Sequence, residues 1–102
     1  MSNNRQKITA VAYDKRGNIV SIGRNSYVKT HTLQARYARQ CGKPGAIFLH
    51  AEIDAIIKSR GKKIHKIFVS RLLRSGKYGL AKPCKICQRA LRDYGVEIIE
   101  HT

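Results

Sequence analysis

Acidic residues are scarce in this chain of 102: six Asp and Glu stand against 21 Lys and Arg, a formal net charge of +15. The six acids are Asp14, Glu52, Asp54, Asp93, Glu97 and Glu100. Seven cations lie between Lys15 and Ala51 and twelve more between Ala55 and Arg92, with no acid in either stretch. Few of them can be neutralised within the chain, so the field is expected to be positive over most of the surface. Such a field attracts phosphate, on a free nucleotide or along a nucleic-acid backbone. The blander consequence of the same excess is solubility alone. No apolar run approaches the ~20 residues that span a bilayer, which argues against a membrane protein. The opening segment, MSNNRQK, lacks the apolar stretch of a signal peptide, and a cytoplasmic location is expected. Three cysteines, an odd number, argue against a disulfide scaffold. Repeats and low-complexity segments are absent too. What is present is 42% apolar residues, enough for one core, in a length that allows a single domain over 1–102.

Lys7 to Tyr13 (KITAVAY) is rich in β-branched and aromatic residues and runs into Asp14-Lys15-Arg16-Gly17-Asn18, where Gly17 or Asn18 can take a positive φ. Ile19 to Gly23 then returns as the second strand of a hairpin. Leu33, Tyr37, Ala38 and Cys41 recur at helical spacing ahead of Gly42 and Pro44. His50 to Arg60 places Ile53, Ile56 and Ile57 on one face and stops at Gly61. Lys66 to Leu72 (KIFVSRL) is a strand. Pro83 to Tyr94 is a helix whose stripe is Ile86, Ala90, Leu91 and Tyr94, and Val96 to Glu100 closes as a strand. The order is ββ(α)αβαβ. The last two strands, joined through a helix, should be parallel with a right-handed crossover.

Chemistry concentrates in His50-Ala51-Glu52 and Pro83-Cys84-Lys85-Ile86-Cys87. Cysteines at i and i+3 in the first turn of a helix point the same way, and the helix N-terminus favours their thiolates. His50 adds an imidazole nitrogen at the start of the other long helix. Two sulfurs and one nitrogen suit Zn²⁺ and leave its fourth tetrahedral position for water. Glu52 follows two residues after His50, within reach of that water without being a ligand. Such a site is hydrolytic.

H-A-E, then 30 residues from Ile53 to Lys82, then P-C-x-x-C is similar to the signature of the zinc-dependent cytidine/deoxycytidylate deaminase superfamily. The resemblance covers about residues 7–100 and implies an α/β fold, a three-layer core on a mixed sheet of about four strands. Gly23-Arg24-Asn25, just after the second strand, looks like the family's G-x-N. By this resemblance His50, Cys84 and Cys87 hold Zn²⁺, while Glu52 takes a proton from water and returns it to the ring nitrogen of cytosine. The backbone at Ala51 and Cys84 steadies water and amine, and Asn25 orients the sugar. The base would be a cytosine on a (deoxy)cytidine nucleotide or in single-stranded DNA or RNA, with adenine or guanine derivatives as other possibilities.

The chain departs from the family in places. Leu80-Ala81-Lys82-Pro83 precedes Cys84, without the aromatic that stacks on a flipped base in polynucleotide deaminases; Tyr27, Tyr78 or Phe48 could substitute. The elements end at the fourth strand, a compactness similar to small phage-type deaminases, and an uncovered last strand predicts a homo-oligomer. Arg24, Lys29, Arg74, Lys77 and Lys82 are candidate phosphate contacts, and Tyr78 sits in a basic, glycine-containing loop suited to base stacking. The competing readings are a closed zinc site that adds Cys41, a basic zinc module that binds nucleic acid without catalysis, and a subunit with a vestigial site. Asp54 reads most simply as a solvated partner of Lys58. His31, His65 and His101 read as surface or hydrogen-bonding residues, His31 near the pocket.

Overall fold

The computed structural model describes residues 7–102. Strand β1 (Lys7–Tyr13) turns into β2 (Ile19–Arg24), with which it pairs antiparallel. Asp14 makes the turn: its carboxylate accepts from the backbone N–H of Arg16 and of Asn18, and Gly17 takes the positive φ of 86°. Helix α1 (Thr32–Gln40) follows, then α2 (Ala51–Lys58) and β3 (Lys66–Leu72). A two-residue strand β4 (Tyr78–Gly79), helix α3 (Lys85–Asp93) and β5 (Ile98–His101) complete the order.

The sheet is mixed. Antiparallel β1 lies along one edge of β3, with Lys7 opposite Leu72 and Tyr13 opposite Lys66. The other edge is shared: β5 runs parallel to Lys66–Val69, and β4 pairs antiparallel with Arg71 and Leu72. The parallel relation of β3 and β5 follows from the helix between them. The sheet has five strands where the sequence pattern indicates about four. The extra one, β4, falls in the basic, glycine-containing loop that holds Tyr78, which folds back through a turn in which the Leu73 N–H donates to the Lys77 carbonyl at 2.8 Å.

Alternation along the strands points one face inward. Ala10 and Ala12 of β1 and Ile67 and Val69 of β3 are fully buried, while Val11 and Phe68 between them are half-buried. Helix α2 packs on β2, β1 and β3, bringing Ile53, Ala55 and Ile56 into the core; α3 packs on α2, and α1 on α3. Gly23 sets how close α2 comes to the sheet. A Cβ there would stand 2.1 Å from the Ala51 carbonyl oxygen and 2.3 Å from the Ala55 nitrogen, so the helix backbone rests directly on the strand. Ser21 and Asp54 fasten the contact: the Ser21 hydroxyl donates to the Ala55 carbonyl at 2.7 Å, and the Asp54 carboxylate accepts from the Arg24 N–H at 2.9 Å. Asp54 is therefore buried at 7% exposure, not solvated, although its ion pair with Lys58 is present at 2.8 Å.

Between α1 and α3, the buried Tyr37 hydroxyl donates to Asp93 at 2.9 Å. Burial, then the Asp93 carboxylate, pushes the tyrosine up to about 12 from its ordinary 10. The folded state thus holds this proton more tightly, so the contribution is whole below pH 10 and is lost as pH rises through about 12. Tyr37→Phe is expected to lower unfolding free energy by about 1–2 kcal/mol at pH 7 in urea titrations. The gap to the wild type should close above pH 10.

Candidate active site

Both halves of the sequence motif sit where a helix begins. His50 is the N-cap residue of α2 and Cys84 that of α3; neither side chain caps its own helix, which leaves both turned to other partners. His50 Nδ1 lies 3.3 Å from Cys87 Sγ and 3.5 Å from Cys84 Sγ. All three ligand atoms lie within 4.8 Å of one another. With Zn–S near 2.3 Å and Zn–N near 2.0–2.1 Å, a tetrahedral ion would hold N and S about 3.5 Å apart, so this donor set fits zinc by type and by spacing. Cys87 is fully buried and Cys84 is exposed at the cavity wall.

The electrostatics of the cluster favour metal capture. The hydrogen bond from the Cys87 thiol, with the one from His50, holds the Cys84 thiol down to about 4, well below the usual thiol range. That is one ready thiolate. Cys87, hydrogen-bonded to that thiolate and deeply buried, is pushed up instead, and His50 is raised by its own hydrogen bond to Cys84. A cation held here would take the place of the shared proton.

Glu52 stands in the first turn of α2 at 5% exposure. Burial pushes its carboxyl up from the ordinary range, and Cys87 is within hydrogen-bonding contact. A carboxyl that changes protonation nearer neutrality is suited to accept a proton and give it back.

A cavity of about 530 Å³ opens over these residues and is walled by His50, Ala51, Glu52 and Cys84 on the helix side. Asn25 and Lys82, both candidates from sequence, line it as well. Asn25 continues the β1–β2 ladder through its side chain, Oδ1 accepting from the Ile8 N–H at 2.9 Å. Tyr27 and Phe48 also border the cavity. Arg24 and Tyr78 do not: Arg24 ends β2 with its backbone on Asp54, and Tyr78 lies on β4, 67% exposed. Lys29, Arg74 and Lys77 are likewise outside the lining. Cys41 closes α1 and is not part of the three-ligand group, and His31 caps α1 by accepting from the Leu33 N–H at 3.0 Å.

Two residues of the site escape sequence reasoning. Gln34, fully buried on α1, accepts from the His50 N–H at 3.1 Å and donates to the Ala46 carbonyl at 3.0 Å, holding the segment that presents the imidazole. Arg71 lines the cavity from β3. In KIFVSRL it falls two residues after Val69 on the inward row, and that period-2 position was the available signal.

A mixed α/β sheet with three helices, carrying a His/Cys/Cys group and a buried glutamate at two helix starts, defines a cytidine-deaminase-like fold with a candidate metal centre. Among solved structures, a Glu-to-Gln mutant of cytidine deaminase from Mycobacterium tuberculosis superposes with a TM-score of 0.61 at 17% identity, covering 99% of this chain and 71% of that one. No protein-family model matches the chain, and no curated protein does. No helix among the described residues is long and apolar enough to cross a membrane.

Proposed function

We propose that the protein is a zinc-dependent hydrolase that deaminates a cytosine base in a phosphate-bearing substrate, a (deoxy)cytidine nucleotide or single-stranded nucleic acid. The observation that carries this reading is Glu52, a buried carboxyl set beside a three-ligand group and opening onto a cavity. A zinc module that only bound nucleic acid would have no use for that carboxyl, whose burial carries a desolvation cost. It fits a site where a proton is moved. The cytidine deaminase with a similar fold supports the same class of chemistry.

His50, Cys84 and Cys87 would hold Zn²⁺, which when bound makes water acidic enough to attack near neutral pH. Glu52 accepts a proton from the attacking water and delivers it to ring N3. Attack forms the C4–O bond and makes C4 tetrahedral. Glu52 then takes the remaining proton from the new C4 hydroxyl and passes it to the amine, and the C4–N bond breaks as the C4 carbonyl forms and ammonia leaves. The product ring is uracil. In this reading backbone groups at Ala51 and Cys84 would steady water and amine, and Asn25 would orient the sugar; all three residues line the cavity. Water, base and carboxyl are thereby gathered where little rearrangement is required.

The reading is tested by incubating zinc-loaded protein with deoxycytidine, deoxycytidine monophosphate, and single-stranded DNA and RNA, following ammonia and base mass. Conversion of cytosine to uracil in at least one is expected. Conversion of adenine or guanine substrates alone would reassign the base, and loss of activity with rising salt on the polymers would identify a polyanionic substrate.

A further inference from the structure

The inward row of β3 runs Ile67, Val69, Arg71, and the first two are fully buried. A cation at the third position interrupts an apolar row. Register explains where it goes: Arg71 stands opposite Ile8 of β1 on one side and Gly79 of β4 on the other. Ile8 in turn is bonded to Asn25 through both its backbone groups, its N–H donating to Asn25 Oδ1 and its carbonyl accepting from the Asn25 N–H at 3.2 Å. Asn25, Ile8 and Arg71 therefore form one line across the sheet, and all three face the cavity. Two strand spacings, roughly 10 Å, separate the backbones of Asn25 and Arg71.

The backbone of Arg71 is held while its head group is under-used. Its N–H donates to the Thr102 hydroxyl at 3.2 Å, and that hydroxyl donates to the Gly79 carbonyl at 2.6 Å. One guanidinium nitrogen makes a long contact of 3.5 Å to the Leu80 carbonyl. Its Nε is buried with no hydrogen-bond partner among the described residues, and no acid there pairs with it. A buried guanidinium donor without an acceptor is costly, and guanidinium is shaped for bidentate hydrogen bonding to an oxyanion. Lys82 lines the same cavity and adds a second positive charge.

We propose that Arg71, with Lys82, binds the phosphate of a nucleoside monophosphate whose base lies toward Glu52 and the His50/Cys84/Cys87 group. This deepens the deaminase reading and rests on it. A monophosphate is favoured over a polymer because Arg71 lies half-buried within the cavity wall, whereas the cations suited to track a longer backbone, Lys29, Arg74 and Lys77, stand outside it. Arg71 thus selects nucleotide over nucleoside at the site.

Binding is measured by titration calorimetry on zinc-loaded Glu52→Gln protein, so that ligand is not consumed. The ligands are deoxycytidine monophosphate, deoxycytidine, inorganic phosphate and an oligodeoxycytidylate. The monophosphate should bind about 10- to 100-fold more tightly than the nucleoside, with inorganic phosphate competing. Arg71→Gln should remove most of that preference and Arg71→Lys restore part of it, at unchanged zinc content. Equal binding of nucleotide and nucleoside, or a preference that survives Arg71→Gln, would overturn the proposal, as would tighter binding of the oligomer. Should Arg71→Gln fail to fold, the wild-type preference and phosphate competition decide. Arg71-dependent nucleotide binding by a wild-type protein that converts no substrate upholds the phosphate site and removes the deaminase reading. Turnover of nucleoside and nucleotide with equal kcat/KM does the reverse.

Discussion

Glu52→Gln is expected to yield a folded protein that binds zinc as the wild type does and turns over its substrate about 10⁴-fold more slowly. The substitution keeps the shape of a side chain that is 5% exposed, so packing is preserved. It also removes a carboxyl that burial already biases toward its neutral form. Stability should therefore be equal or higher, since an amide has no charge to desolvate. The three ligand atoms belong to His50, Cys84 and Cys87, so metal stoichiometry should not change. What is lost is the group that carries protons between water, ring nitrogen and amine. Zinc content by elemental analysis and single-turnover kinetics separate these effects. A loss of zinc along with activity would make Glu52 a structural or ligating residue instead.

The second large effect is expected at Gly23. Gly23→Ala places a methyl group 2.1 Å from the Ala51 carbonyl oxygen and 2.3 Å from the Ala55 nitrogen, and backbone cannot rotate away as a side chain can. Helix α2 must move off β2, stretching the Ser21–Ala55 and Arg24–Asp54 bonds. A cost of about 3 kcal/mol or more is expected in chemical denaturation. Because α2 begins at Ala51 and carries Glu52, with His50 at its cap, zinc affinity should fall as well. Wild-type stability and zinc affinity in Gly23→Ala would mean that α2 has slack that this packing does not allow.

Gly23 also illustrates what was legible in the sequence. Gly23-Arg24-Asn25 can be picked out as a pattern, but the reason for its glycine, contact with a helix backbone some 30 residues later, is tertiary. The His/Cys/Cys group was legible because its chemistry is local: Cys84 and Cys87 share a helical turn, and the H-A-E run places His50 and Glu52 together. Strand limits of β1 and β3 followed from composition. Asp54 was misread because its second partner, the Arg24 N–H, is remote in sequence. Gln34 and Arg71 were missed for the same reason, since a polar residue looks like surface until the fold sets it under His50 or beside the cavity. Strand β4 was hidden because two residues carry no periodicity.

On the proposed reading, surplus charge would bear on which substrate arrives, not on the reaction. Apart from Glu52, the acids are already engaged: Asp14 in its turn, Asp54 with Lys58, Asp93 with Tyr37, Glu97 with Lys63 and Glu100 with Lys66. The remaining cations give a positive field around a cavity whose own wall contributes Arg71 and Lys82. Steering by the field and recognition by Arg71 are separable: the first weakens with salt, while the second persists because its donors are partly buried.

Hydrolytic deamination is tested most sharply by turnover of deoxycytidine monophosphate by zinc-loaded protein in oxygen-18 water. One ammonia per uracil formed is expected, with the heavy oxygen at C4, and both formed about 10⁴-fold more slowly by Glu52→Gln. Recovery of unchanged cytosine nucleotide from a fully zinc-loaded, folded protein would contradict it.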